Sequence, residues 1–472
     1  MWRILTLLCI LALASVAKAD PPNVLLIIAD DMGYGDLGCY ESKQIETPNL
    51  DQLAAHGIRL TDGYVAASVC APSRAGLLTG RYPQNFGFES NLGSDRIDPE
   101  LNGIPPGEKT MGDYLKAAGY CTGLVGKWHV GESVPEHLPN ARGFDYFFGM
   151  RNGNHAYFPT ARRNRLYRNG EPIDTIEEPY LTDWFTSDAI DFIGEPGETP
   201  WLMYLSYNTP HTPLQAKDED LERFAHIPHQ GRRTYTAMQW CMDYNIGRII
   251  EHLRETDQLE NTLIVFMSDN GGSVDASNAC NAPLNGQKGI ALEGGIRVPL
   301  IFHWPAGGLV GGTTYERPII AFDLLPTFLA AAGEGEMPGN LDGVDLLPFL
   351  RGDTGGDPHD VLFWRKTLRD TAVRKGDWKL ITSVHHLPML FNLKEDISEQ
   401  HNVFADHPDI AEDLQQEINR WQESLADTPN LVEGNNWLTR TRRLYDRPFQ
   451  LVQPERDEAY SGRPRDVRSA SN

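Results

Sequence analysis

Two pairs of neighbouring polar residues in this chain have the types and placing of a charged centre. Asp30 and Asp31 follow the apolar run 23–29, and Asp269 and Asn270 follow a second apolar run, 262–268. Adjacent carboxylates at the end of a buried strand repel each other unless a cation neutralises them, and all four side chains offer the oxygen donors that a hard cation takes. Aspartates also cap helices and close turns, so the pairs taken alone leave both readings open. Lys127 and His129 stand two apart beyond another apolar run, a spacing that turns both to one side of an extended chain. His211 lies between Pro210 and Pro213, which end the preceding strand and hold the histidine in an extended turn. Lys288 sits between glycines at 286 and 289. A lone Lys or His beside a strand is as readily a surface or packing group. Cys70, Pro72, Ser73 and Arg74 form C-x-P-S-R, and the segment after Ser73 reads as a helix start whose free amides can face an anion. The same cysteine also reads as a buried structural thiol, with Pro72 in a first helical turn.

The run continues as CAPSRAGLLTGR from Cys70 to Arg81. In this extended form it resembles the signature of type I, formylglycine-dependent sulfatases, the arylsulfatase-like branch of the alkaline phosphatase superfamily. GKWHVG at 126–131 is similar to that family's G-K-W/Y-H-x-G, and the motifs fall in the family's order from Asn23 to about Leu425. The resemblance implies a sulfuric ester hydrolase. A maturation enzyme would oxidise Cys70 to Cα-formylglycine, and one Ca²⁺ would be held by Asp30, Asp31, Asp269 and Asn270, with the modified Cys70 completing the shell. The hydrated aldehyde would attack sulfur while Lys127 and Lys288 meet the charge on the sulfuryl oxygens. Arg74 would hold the modified residue, and His211 with Lys288 would protonate the leaving alcohol. His129 would then take the proton of the second hydroxyl and expel sulfate. The implied substrate is a sulfated carbohydrate. Two alternatives share the platform: a phosphate or phosphonate ester hydrolase of the same superfamily, and a non-catalytic sulfated-glycan-binding protein with unmodified Cys70.

The elements that must position these residues are legible as periodicity. Continuous branched apolar runs at 23–29, 120–125, 201–207, 262–268 and 300–302 read as strands buried on both faces. Helical spacing recurs at 109–118, 180–193 and 233–253, and Thr47 with Pro48 reads as a helix N-cap and first position. Alternating strands and helices predict an α/β fold, a large mostly parallel sheet sandwiched by helices and alkaline phosphatase-like in kind. Polar residues 351–359 read as a boundary. Beyond them, 361–364, 370–374, 378–382 and 389–392 predict a smaller C-terminal antiparallel sheet, covered by a helix at 408–425. The expected division is a catalytic domain at 20–355, a C-terminal subdomain at 356–446 and a loose charged tail at 447–472. Loops at 35–40, 90–95, 152–168 and 278–285 are candidates for substrate specificity, and the polar stretch 151–168, with Asn152, Asn154, His155, Tyr157, Arg162, Arg163 and Arg165, reads equally as sugar contacts or as a solvated loop.

Of 472 residues, 40% are hydrophobic and 23% charged, enough to bury a sizeable core. The formal charge of −23 argues against general affinity for nucleic acid or anionic membranes, so an anionic substrate needs a local basic cluster. Residues 1–19 read as a cleavable secretion signal: Arg3, an apolar run, then Ala17, Lys18 and Ala19 as an A-x-A site. That predicts an exported, periplasmic or extracellular protein without a membrane anchor. Outside the signal and Cys70, the cysteines Cys39, Cys121, Cys241 and Cys280 are open to pairing or to free buried thiols.

Overall fold

A computed structural model describes residues 20–92, 102–160, 165–366, 370–384, 386–425 and 445. The expected signal at 1–19 and tail at 447–472 lie outside the described residues, as do parts of the loops at 90–95 and 152–168.

The strands, in chain order, are β1 (Asn23–Ala29), β2 (Ile58–Leu60), β3 (Gly63–Tyr64), β4 (Cys121–Lys127), β5 (Tyr146–Met150), β6 (Leu166–Arg168), β7 (Glu171–Pro172), β8 (Trp201–Ser206), β9 (Thr262–Ser268), β10 (Leu300–His303), β11 (Thr313–Tyr315), β12 (Ile319–Ile320), β13 (Val361–Lys366), β14 (Asp370–Lys375), β15 (Trp378–Ser383) and β16 (His386–Asn392). Ten of them form one sheet in the order β11-β2-β10-β9-β1-β8-β4-β5-β6-β7. The central five, β9-β1-β8-β4-β5, are all parallel. Antiparallel pairing is confined to the flanks, at β9–β10, β10–β2, β5–β6 and β6–β7.

β1 shows why these runs are uninterrupted by polar residues. Val24, Leu26 and Ile28 enter the core on one face of the sheet, and Leu25, Ile27 and Ala29 enter the core on the other. All six are fully buried, as alternation on a sheet covered on both sides requires.

The expected α/β architecture is present, with several boundaries moved. The second buried strand runs to Lys127 rather than stopping at 125. The long helix is Gln230–Glu255, because the His229 ring accepts a hydrogen bond from Arg232 N and caps it three residues ahead of the expected start. The helix expected at 109–118 is Met111–Ala117, held by a reciprocal Thr110–Asp113 cap. Thr47 precedes the helix Pro48–His56 but does not cap it with its side chain. Its hydroxyl instead accepts from Gly38 N and donates to Asp51.

Strands β13 to β16 pair antiparallel in sequence order, as expected from the run of short strands after 361. Val373, Leu380 and Leu390 pack under the helix Pro408–Ser424 against Ala411, Leu414 and Ile418. The opposite face sends Leu362, Trp364, Ala372, Ile381 and Phe391 into the main core. Trp364 Nε1 also donates to Val65 O at 2.8 Å. No helix among the described residues is long and apolar enough to cross a membrane. Cys39, Cys70, Cys121, Cys241 and Cys280 are not joined in disulfides.

Candidate active site

Parallel strands bring their C-terminal ends to one edge of the sheet, and the charged residues gather there. β1 delivers Asp30 and Asp31, β9 delivers Asp269 and Asn270, β4 ends in Lys127, and the chain leaving β8 carries His211. Adjacent residues on an extended strand would point to opposite faces. Asp31 avoids this by taking φ = 65°, a left-handed backbone that few residues other than glycine adopt. The turn is held by Asp31 N donating to Asp269 Oδ1 at 3.1 Å and Met32 N to Ser268 Oγ at 3.0 Å.

Cys70 enters from the other side. The helix expected to start after Ser73 begins at Cys70 itself and runs Cys70–Thr79, every residue of it buried. The thiol is 1% exposed. Its Sγ lies 3.0 Å from Lys288 Nζ, 3.7 Å from Asp30 Oδ1 and 3.8 Å from Asp31 Oδ1. Burial pushes the thiol up to about 12, although Lys127 and Lys288 pull the other way. In this form it is no thiolate nucleophile at neutral pH.

Three cations meet the three carboxylates. Lys127 Nζ reaches Asp30 Oδ2 at 2.7 Å, and Lys288 Nζ reaches Asp31 Oδ1 at 2.6 Å. Arg74 contacts Asp269 Oδ2 through Nε and Nη2, both at 2.9 Å. Burial would raise the carboxyl of Asp30, but Lys127, His211 and Arg74 hold it well below the usual carboxylate range. Burial likewise opposes the charge on Lys288, and Asp31 and Cys70 more than offset it. His211 Nε2 lies 3.6 Å from Asp31 Oδ2. His211 sits in a turn after the strand, as expected, and its N–H closes that turn on Asn208 O at 2.9 Å.

His129 departs from the extended reading. Its φ is 58°, so the strand geometry that would align it with Lys127 ends at Lys127. The ring is still brought to the site. Burial, then Lys127 and Arg74, depress its basicity well below that of an ordinary histidine. Its Nδ1 is buried without a hydrogen-bond partner.

All ten residues picked from the sequence therefore belong to one connected cluster. Asp30, Asp31, Cys70 and His211 place one donor atom each within 4.8 Å of one another. Asp269 is not in that inner group. Asp269 is turned to Arg74 and Asp31 N, while Asn270 Nδ2 donates to Asp31 Oδ1 at 2.8 Å. Asn270 Oδ1 is buried and has no hydrogen-bond partner, so it is an acceptor waiting for a positive group. With the oxygens of Asp30 and Asp31 beside it, the donor set suits a hard divalent cation.

Several supporting residues were missed from the sequence. Ser206 accepts from Arg74 Nη1 and donates to Lys127 O at 2.7 Å, tying the guanidinium to β4. Ser73 Oγ donates to Asp269 O. Tyr157 OH donates to Asn208 O and, at 2.9 Å, to His211 O. Asp36 forms an ion pair with Arg232 and accepts hydrogen bonds from Tyr235 OH and Cys280 N, locking the loops expected at 35–40 and 278–285 together. Ser206 had a legible signal, a polar residue ending an apolar strand, the same one that marks Asp30 and Asp269. Asp36 had none, and Tyr157 stood out only as part of the polar stretch 151–168.

The chain is similar to known proteins along most of its length. A model of the sulfatase family matches residues 22–334, and a model of the C-terminal region of N-sulphoglucosamine sulphohydrolase matches 287–424. The chain is 33% identical over 463 residues to arylsulfatase A of Bos taurus, covering 86% of this chain and 88% of that protein. It is 35% identical over 371 residues to N-acetylgalactosamine-6-sulfatase of Sus scrofa, covering 74% and 70%. The solved structure of Ps i-CgsB in complex with k-i-k-neocarrahexaose superposes with a TM-score of 0.81 at 37% identity, covering 91% of this chain and 98% of that one.

Proposed function

Because the chain belongs to the sulfatase family and is a sulfuric ester hydrolase, we propose that it removes sulfate from sulfated carbohydrates with Cys70 oxidised to Cα-formylglycine and one Ca²⁺ bound. The reading rests on one observation above the others: Cys70 Sγ sits between Lys288 Nζ and the carboxylates of Asp30 and Asp31. A high-pKa thiol in that position is idle, whereas an oxygen nucleophile there would face a ring of cations.

Asp30, Asp31, Asp269 and Asn270 would hold the cation, with the side chain at position 70. A hard cation there supplies positive charge that acidifies a neighbouring hydroxyl and attracts sulfate oxygens. Lys127 and Lys288 bind the sulfate and stabilise the charge that grows on its oxygens as the ester bond breaks. Arg74, anchored by Asp269 and Ser206, orients position 70 from behind. His211, at the open side of the cluster, protonates the departing alcohol. His129, kept neutral by burial and its cationic neighbours, accepts the proton whose removal releases inorganic sulfate.

For the substrate, the complex of Ps i-CgsB with a neocarrahexaose and the likeness to N-acetylgalactosamine-6-sulfatase support a sulfated galactan or galactosamine glycan. Residues 1–19 would direct the chain out of the cytoplasm, where such polymers are met. The test is release of sulfate from a panel: galactose 6-sulfate, N-acetylgalactosamine 6-sulfate, oligosaccharides of κ- and ι-carrageenan, 4-nitrophenyl sulfate, and the matching phosphate and phosphonate esters. Sulfate release with little phosphate release is expected, and the opposite order would sink the assignment. When the protein is made with a maturation enzyme, the peptide carrying Cys70 should be lighter by the exchange of sulfur for oxygen. Cys70→Ala should be inactive. Cys70→Ser should stall with sulfate bound covalently, visible by intact-protein mass.

A further inference from the structure

His211 stands on the chain that leaves β8, beyond the last paired residue of the sheet, so a turn rather than strand register sets its aim. Residues 208–211 form that turn, closed by His211 N on Asn208 O at 2.9 Å. Its first half is fastened to the core. Thr209 O accepts from Asp30 N at 2.9 Å, and the Thr209 hydroxyl meets that of Thr182 at 2.8 Å. The second half carries the imidazole and is held by a phenol. Tyr157 OH shares its proton between Asn208 O and His211 O, the latter at 2.9 Å. Among the described residues no other group donates to His211 O.

The phenol is itself fixed. Tyr157 is fully buried. Its N–H donates to Gln215 Oε1 at 2.8 Å, and its carbonyl accepts from Leu181 N at 2.8 Å. Its ring stacks on that of Tyr180, with centroids 5.8 Å apart. A hydroxyl so mounted is a fixed point for the turn. The imidazole is aimed in its turn by the backbone. His211 Nδ1 lies 2.7 Å from Thr212 O. A carbonyl only accepts, so Nδ1 bears the hydrogen there. Nε2 is therefore the nitrogen presented to the site, 3.6 Å from Asp31 Oδ2. Letting go of His211 O frees the backbone to which that ring is tied.

We infer that Tyr157 is the positioning residue for His211: its hydroxyl holds the turn so that Nε2 faces the oxygen that leaves with the sugar. This rests on the sulfatase reading and deepens it. Tyr157 acts through His211, so its hydroxyl matters most where the leaving group needs a proton. A sugar alkoxide needs one. 4-Nitrophenolate is a far weaker base and departs without it.

The experiment starts from Tyr157→Phe, which keeps the ring and removes the hydroxyl. On the best carbohydrate sulfate of the panel kcat falls about ten- to a hundred-fold, and on 4-nitrophenyl sulfate less than about three-fold. His211→Ala gives the same split. The double variant is no slower on the sugar sulfate than His211→Ala, because a positioner has no effect once the group it positions is gone. Gln215→Leu, which frees the Tyr157 N–H, is the second variant and gives the same split in weaker form. Equal losses on the two esters in both Tyr157→Phe and Gln215→Leu, or losses that add in the double variant, overturn the proposal. Crystal structures of the ligand-free parent and Tyr157→Phe supply a readout without turnover. The imidazole of the variant is expected to leave Asp31 by about 1 Å or more while Thr209 O stays on Asp30 N. An unmoved imidazole overturns the proposal. Should the parent release sulfate from no substrate, the sulfatase reading fails on its own, and the two crystal structures still decide whether Tyr157 fixes His211.

Discussion

Arg74 is wholly buried, and its guanidinium is shared among Asp269, Ser206, Lys127 O and Tyr204 OH. Its planar fork spans β9, β8 and β4 at once, which a lysine ammonium cannot do. Arg74→Ala would leave Asp269 buried beside Asp30 without its cation. Burial already raises the Asp269 carboxyl despite Arg74. The expected loss is about 3–5 kcal/mol of stability, read from urea unfolding, with activity lost as well. Gly153 tests the other half of the site. A methyl group there meets the His129 ring, so Gly153→Ala should lower kcat by about ten- to a hundred-fold through a displaced imidazole. The circular dichroism spectrum should be unchanged. An unaltered kcat would mean that the ring has room to move aside.

At the level of elements, the site depends on where regular structure stops. Asp31 and His129 follow the ends of β1 and β4 in left-handed backbone, and that conformation re-aims side chains which strand alternation would send elsewhere. Such strain persists only where surrounding contacts over-determine it. Gly126 is one of those contacts. It has φ = 111° and lies opposite Ser206 on β8 and Gly149 on β5. A Cβ at Gly126 would fall 2.0 Å from Ser206 O. Gly126→Ala should therefore pry β4 from β8 and cost about 2–4 kcal/mol in urea unfolding. It should also weaken Lys127 and Arg74 contacts together, since both pass through this pair of strands.

Across the whole molecule, the small C-terminal sheet is joined to the large one by a buried ionic cluster as well as by apolar packing. Lys379 Nζ on β15 meets Glu293 Oε1 at 2.7 Å and Glu399 Oε1 at 2.9 Å, with all three side chains fully buried. Arg297 and Arg374 close the cluster around Asp62, and Glu293 also accepts from Tyr64 OH at 2.6 Å. Lys379→Met would strand two carboxylates and should cost about 3–5 kcal/mol. The two glutamates respond to pH in opposite senses. Burial pushes the Glu399 carboxyl up to about 7 from its ordinary 4.5, with Glu293 adding and Lys379 opposing. The folded state then holds this proton more tightly than the unfolded state does. Its contribution is fully present below about pH 4.5 and is lost as pH rises through about 7. Glu293 is held down at about 2, against burial, by Lys379, Arg297 and Arg374. Its contribution is present above about pH 4.5 and is lost as pH falls toward 2. Glu399→Gln removes only the first effect. Relative to the parent, it should gain on the order of 2 kcal/mol of stability between pH 5 and pH 8. A pH-independent difference in urea midpoint would contradict the assignment.

The residues that gather at the site could be picked from the sequence because residue type and neighbouring motif mark them. Asp30, Asp31, Cys70, Lys127, His211, Asp269 and Lys288 were all legible, as were the apolar strands that end beside most of them. Burial on both faces of a parallel sheet demands uninterrupted apolar runs, and such runs are visible without coordinates. Tertiary structure alone decided what depends on distance between strands far apart in the chain. Examples are the helix start at Cys70 itself, the left-handed turns at Asp31 and His129, the bracing of Arg74 by Ser206, and the hydrogen bond from Tyr157 OH to His211 O. A hydrogen bond, or the lack of one, is a property of two places in space, and a linear order of residues specifies only one of them at a time.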